Sequence, residues 1–173
     1  MCMEKKFLRE QYLEIRKNCK LNIEKIHSQL FSSNDFINAK TVFIYVSFGN
    51  EISTYEIIEK GFKLNKKVAV PKCIDNNLEF YYIDSFSDLK LGSYNILEPI
   101  TRIQANDFEN SICITPGIVF DKKGYRVGYG KGYYDRFFKE YTGIKIGLCC
   151  KECLIDDVFH DEFDVAVDYV ITD

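Results

Sequence analysis

Hydrophobic positions recur along this chain in two periods, and the switches between them set out its elements. Near the start, Leu8, Tyr12, Ile15 and Cys19 stand at spacings of 4, 3 and 4, one apolar row on a helix. Lys5, Arg9, Tyr12 and Arg16 repeat that spacing three residues earlier, placing a basic row roughly 60° round the same helix. A break at Cys19 to Asn22 and a second helix burying Ile23, Ile26 and Leu30 should follow. TVFIYVSF, residues 41–48, is an unbroken β-branched and aromatic run, the pattern of a strand covered on both faces. Ser53 and Glu56 have capping-box spacing and Ile52 and Ile57 can staple the turn, so the pattern predicts a helix over 54–65. Strands are predicted at 67–70, ended by Pro71, at 78–83, and at 111–115, closed by Pro116-Gly117. Residues 84–110 read mostly as connection. A helix over 132–141 should bury Tyr134, Phe137, Phe138 and Tyr141, with strands at 144–149 and near 169–172. Strands alternating with helices imply an α/β fold, a three-layer α/β/α sandwich around a largely parallel, mixed sheet.

Length and composition narrow the class. With 173 residues, 46% of them apolar and 28% charged, the chain suits one domain over 1–173 with a substantial core. Ten glycines, three prolines and no biased tract argue against disorder and repeat arrays. The 23 Lys and Arg against 26 Asp and Glu give a formal charge of -3, so nucleic acid is not an expected partner. No run reaches the ~18 apolar residues of a membrane span, and MCMEKKFLREQ is charged where a secretory signal is apolar. A cytoplasmic monomer that meets no membrane is the expectation. The seven cysteines (2, 19, 73, 113, 149, 150, 153) sit mostly among apolar residues, as reduced thiols do. Cys150-Lys-Glu-Cys153 has metal-ligand spacing, but no second CxxC or His pair at zinc spacing accompanies it, so free cysteines are expected.

Candidate chemistry concentrates in DKKGYRVGYGKGYYDR. Four of the ten glycines lie between Gly124 and Gly132, after an apolar strand and before a helix, where backbone amides can approach a phosphate. Arg126 and Lys131 add charge, and residues 121–140 hold six Lys or Arg against three acids in an otherwise acidic chain. The segment matches neither the P-loop nor GxGxxG, since Gly132 follows Lys131 and Gly128-x-Gly130-x-Gly132 has the wrong spacing. Tyr129 and Tyr133 could offer flat faces to a heteroaromatic ligand, whereas Tyr134 shares the core register of Phe137 and Phe138. Residues 156–173 carry seven acids and no Lys or Arg. One of them, with Asp168 the best placed, could join Asp135 in holding Mg2+ against a nucleotide, or all could be solvated. Glu51, after the central strand, can accept paired hydrogen bonds from a heterocycle or can face solvent as a loop acid. His27 and His160 form no recognisable triad.

Taken together, KKFLR, SFGNEIST, TPGIVFDKKGYRVGYGKGYYDR and FDVAVDYVITD resemble, in order, the 5-formyltetrahydrofolate cyclo-ligase (5,10-methenyltetrahydrofolate synthetase) family. The resemblance implies an ATP-dependent, Mg2+-requiring conversion of 5-formyltetrahydrofolate to 5,10-methenyltetrahydrofolate with release of ADP and phosphate, on a three-layer α/β fold. It places Lys5 and Arg9 on ATP phosphates. It puts Arg126, Val127, Gly128, Tyr129, Gly130, Lys131, Gly132, Tyr133 and Tyr134 around ATP, and Tyr129 to Tyr133 against the folate as well. Val46 would line the folate pocket, Glu51 would face the pterin, Asp135 and Asp168 would hold Mg2+, and Arg126 and Lys131 would act in catalysis. Val127 stands where the family usually has Leu, and Lys131 where it has Gly or Lys. A small-molecule kinase and a non-catalytic folate or nucleotide binder are the rival readings.

Overall fold

The structure, a computed structural model, describes residues 3–92 and 95–173. Cys2 and the Ser93-Tyr94 stretch of the predicted connection lie outside the described residues. The chain opens with helices α1 (Met3–Asn18), α2 (Ile23–Ser32) and α3 (Asn34–Asn38), then strand β1 (Thr41–Ile44) and helix α4 (Tyr55–Lys63). Strands β2 (Lys67–Ile74), β3 (Asn77–Ile83), β4 (Leu89–Leu91), β5 (Leu97–Pro99), β6 (Ser111–Thr115), β7 (Val119–Asp121) and β8 (Arg126–Val127) follow. Helix α5 (Tyr133–Phe137) and strands β9 (Ile144–Leu148), β10 (Leu154–Ile155) and β11 (Tyr169–Ile171) complete the described elements.

Six strands form the main sheet in the order β11-β9-β6-β1-β2-β3, parallel throughout except for the β2–β3 edge pair. The sandwich and its mixed sheet are as the alternation of elements predicted. Along β1, Val42 and Ile44 join Ile26, Leu30, Phe36, Ile57 and Ile58 of α2, α3 and α4 on one face. Phe43 turns to the other face, where its ring meets Phe80 at 5.2 Å and Tyr141 at 5.4 Å, beside Tyr12 and Ile15 of α1. That period-2 division of an all-apolar strand is what a sheet covered on both sides requires.

The run 41–48 is buried as predicted, yet it pairs in the sheet only as far as Ile44. Beyond it, the hydroxyl of Thr54 takes over: its Oγ1 donates to the Tyr45 carbonyl at 2.7 Å and accepts the Ser47 amide at 3.1 Å. This also explains why the Ser53/Glu56 capping box does not form. Thr54 is the N-cap of α4, its hydroxyl already spent, while the imidazole of His27 sits between the Ser53 carbonyl and the Glu56 carboxylate. Thr54→Val, which keeps the shape and removes both bonds, should destabilise the protein by about 2 kcal/mol, read from the shift in urea midpoint at constant slope.

Strand β2 does not stop at Pro71 but runs to Ile74, because beyond Ala69 it has left β1 and pairs with β3 alone, where one missing N–H is tolerated. The helix predicted over 132–141 is helical only as Tyr133–Phe137, followed by looser turns that still bring Phe138 and Tyr141 into the core. Residues 84–110 hold the β4–β5 hairpin, and β7, β8 and β10 form a second sheet, all strands too short to show a period.

Candidate functional site

Strand β1 has β2 on one side and β6 on the other, so successive connections leave it in opposite directions. In an open α/β sheet such a switch point leaves a crevice at the carboxyl ends of the two strands. The turn at 45–51 follows β1 there, Pro116-Gly117 follows β6, and the basic row of α1 reaches both that end and the glycine loop. Arg16 donates from Nη1 to the Gly117 carbonyl at 3.2 Å and from Nη2 to the Tyr129 hydroxyl at 2.9 Å. Arg9 donates from Nε to the Gly128 carbonyl at 2.7 Å. The Tyr129 ring, half exposed, lies 5.8 Å from Phe48 of the β1 turn. Two segments far apart in sequence are thereby held to one helix edge.

Glu51 closes the β1 turn, its Oε2 accepting the Phe48 amide at 3.1 Å. Burial pushes its pKa up to about 7, against the opposing pull of that amide and of the Arg16 guanidinium. Two buried polar atoms lack a hydrogen-bond partner among the described residues, Nε of Arg16 and the hydroxyl of Tyr134. Both belong to side chains close enough to interact electrostatically with Glu51. Unsatisfied buried groups around a carboxylate held near neutrality are the mark of a site that a polar ligand completes.

The glycine loop is shaped for an anion. Gly130 and Gly132 have φ of +87° and +63°, a left-handed backbone that side chains disfavour. Among the described residues the amides of Gly128 to Gly132 donate no hydrogen bond, leaving a row of N–H groups for phosphate oxygens. Lys131 is exposed at the tip and makes no ion pair among the described residues. Tyr133 is half-buried, with the Arg136 guanidinium over its ring at 5.3 Å.

Val127 and Val46 are almost wholly buried beneath the loop and the β1 turn. Arg126 is buried as well: it donates to the Val165 carbonyl at 2.7 Å and to Asp135 Oδ1 at 3.0 Å, with Phe138 under its guanidinium. Its replacement should therefore cost stability as well as activity. Tyr134 packs on Phe80 and Phe138 as its register implied, but carries the orphaned hydroxyl into the site. Lys5 is held by Asp161, at 2.7 Å, and by Asp164, so its charge is already shared with carboxylates.

Asp168 is exposed just before the outermost strand, where its Oδ2 accepts the Lys145 amide at 2.7 Å and the Lys145 ammonium at 3.1 Å. The acids brought to the basic row are Asp161 and Asp164, which meet Lys5, and Asp164 adjoins Val165, whose amide Asp135 accepts at 3.2 Å. Asp135 uses Oδ1 and Asp164 uses Oδ2 in these bonds, so each has a second carboxylate oxygen outside them. Composition pointed to this acidic segment, and position before the last strand singled out Asp168 within it. Arg16 lay in the basic row without a role, and only the fold shows that the row's far end reaches Glu51.

An α/β crevice that sets a glycine loop with open amides beside a buried acid is the natural place for a ligand in this fold. The chain belongs to the 5-formyltetrahydrofolate cyclo-ligase family, whose pattern it matches over residues 2–173. It is 31% identical to a 5-formyltetrahydrofolate cyclo-ligase of Haemophilus influenzae over 75% of this chain and 73% of that one. The NMR structure of Aquifex aeolicus 5,10-methenyltetrahydrofolate synthetase superposes with a TM-score of 0.86 at 31% identity, covering 98% of this chain and 90% of that one. A 5,10-methenyltetrahydrofolate synthetase of Mycoplasma pneumoniae shares the fold with a TM-score of 0.75 at 24% identity, covering 98% of both chains. This chain is accordingly a ligase of folate one-carbon chemistry. No helix among the described residues is long and apolar enough to cross a membrane.

Proposed function

We propose that this enzyme couples ATP cleavage to the closure of 5-formyltetrahydrofolate, with Mg2+ at the phosphates. The observation that carries the reading is the juxtaposition of the open amides of 128–132 with the buried Glu51, both tied to one helix by Arg9 and Arg16. In this reading Glu51 accepts hydrogen bonds from the pterin ring, and Tyr129 and Phe48 supply its apolar wall. Loop amides, Arg9 and Lys131 hold the triphosphate. Lys5 joins them as far as Asp161 and Asp164 release it. Asp135 and Asp164 would hold Mg2+, which when bound offsets phosphate charge.

The formyl oxygen attacks the γ-phosphorus, ADP leaves, and the resulting imidate phosphate is attacked at carbon by N10. Phosphate then departs with the former formyl oxygen. No protein nucleophile is needed, so the chain's contribution is alignment and charge stabilisation. Arg16 would set the charge of Glu51 and hold Tyr129. Arg16→Met removes a cation from beside the carboxylate, which favours the protonated form. Its kcat/KM for folate should therefore fall about tenfold at neutral pH and its half-maximum should move to higher pH, as read from a pH profile.

The reading is tested by mixing the enzyme with Mg-ATP and 5-formyltetrahydrofolate and following methenyl absorbance and phosphate release, omitting each component in turn. Equal amounts of both products, requiring ATP and metal, are expected. Folate binding without turnover would favour a binder, and a stable phosphorylated product would favour a kinase.

A further inference from the structure

The sequence shows one CxxC with no partner ligands, and the fold supplies them from elsewhere. Cys150 and Cys153 flank the 3-10 turn Lys151–Cys153 that follows β9, with their sulfurs 3.3 Å apart. Against that turn packs the end of α1, where Cys19 stands one residue past the helix with its thiol donating to the Arg16 carbonyl at 3.3 Å. The Cys19 and Cys150 sulfurs and a carboxylate oxygen of Glu152 all lie within 4.8 Å of one another. None of the six described cysteines is in a disulfide.

These separations bear comparison with known coordination chemistry. A tetrahedral ion with metal–sulfur bonds of ~2.3 Å holds its sulfurs about 3.8 Å apart, and carboxylate oxygens bind at about 2.0–2.2 Å. The Cys19, Cys150 and Glu152 donor atoms, all within 4.8 Å of one another, lie close enough to converge on one ion of that size. Their softness selects zinc or its congeners over Mg2+, which separates this cluster from the carboxylates beside the glycine loop. Burial is graded: Cys150 and Cys153 are closed off, Cys19 is half-buried and Glu152 is exposed, which gives an ion a way in. A disulfide would use two of the thiols and leave the carboxylate without a task, whereas one ion engages Cys19, Cys150 and Glu152 together.

We infer that Cys19, Cys150 and Glu152 bind a thiophilic divalent cation of the zinc class. As each metal–sulfur bond forms, the thiol proton passes to solvent. The ion joins the end of α1 to the turn after β9, and α1 is the helix that carries Lys5, Arg9 and Arg16. The inference rests on the cysteine cluster alone and does not depend on the folate reading.

The test uses the full chain, reduced and stripped with chelator, titrated with Co2+ as a spectroscopic probe and then with Zn2+. The expected result is one Co2+ per chain with thiolate-to-cobalt charge transfer and the intense visible bands of tetrahedral geometry, both erased by Zn2+. Cys19→Ser and Glu152→Gln should each lose at least about tenfold in zinc affinity, since loss of even an outer-sphere partner can cost that much. Cys73→Ser, at an exposed cysteine remote from the turn, should retain wild-type affinity. Zinc should also raise the melting temperature of the wild type and not of Cys19→Ser. Absence of the charge-transfer band, or a band unchanged in Cys19→Ser, overturns the inference. Because Cys19 is half-buried at a helix end, its serine variant keeps the test available should Cys150→Ser fail to fold.

Discussion

Glu51→Gln should lower kcat/KM for 5-formyltetrahydrofolate by about a hundredfold, while making the ligand-free protein more resistant to urea at pH 8. The first effect follows from losing charge-assisted hydrogen bonds to the pterin, each worth about 1.5–3 kcal/mol. The second follows from linkage. The buried carboxyl titrates at about 7, whereas an unfolded glutamate titrates near ~4.3. Below the unfolded value both states hold the proton and no penalty exists. As pH rises the unfolded chain releases its proton first, so the folded state loses stability until pH passes about 7, for a total of up to about 4 kcal/mol. Glutamine cannot ionise and escapes this loss, so the variant and wild type should agree at pH 4 and diverge by pH 8. Parallel stability curves would show that Glu51 is not strained by burial, and wild-type folate turnover would remove it from the site.

Arg126→Ala should abolish turnover and cost about 3–5 kcal/mol of stability, the usual penalty for stranding one partner of a buried ion pair. Its side chain and that of Asp135 are 5% and 23% exposed, so solvent cannot take the guanidinium's place. The Val165 carbonyl and the Phe138 face lose their partner as well. Because the site is held by this network, activity and stability should fall together, and Arg126→Lys should recover part of the stability while leaving Val165 or Asp135 poorly bonded. Denaturant titration of both variants separates the two effects. A fully stable, inactive Arg126→Ala would return Arg126 to a purely catalytic role.

The elements that were legible in sequence are those whose burial is periodic. Ile26 and Leu30, the alternation of Val42, Phe43 and Ile44, and the row Leu8-Tyr12-Ile15 each mark a face, and each face packs as it reads. Strand Ser111–Thr115 was legible to the residue because Pro116-Gly117 closes it. What was not legible depends on partners distant in sequence. The Ser53/Glu56 box has the right local spacing but loses to the competing bonds of His27 and Thr54. Asp168 and Asp164 are indistinguishable by composition, and only the pairing of Asp168 with Lys145 and of Asp164 with Lys5 tells them apart. The open backbone of the glycine loop was legible because glycine content and position before a helix imply it directly. Arg126 shows the reverse, a cation in the right segment whose bonds turn inward to the core.

The central claim is that ATP serves to convert the formyl oxygen into a leaving group. 5-Formyltetrahydrofolate labelled with oxygen-18 at the formyl group tests it directly, with the released phosphate analysed by mass spectrometry after one turnover in unlabelled water. The mechanism predicts one heavy oxygen in each phosphate. Label recovered in water, with phosphate unlabelled, would mean that ATP cleavage and closure do not share that oxygen, and would contradict the account.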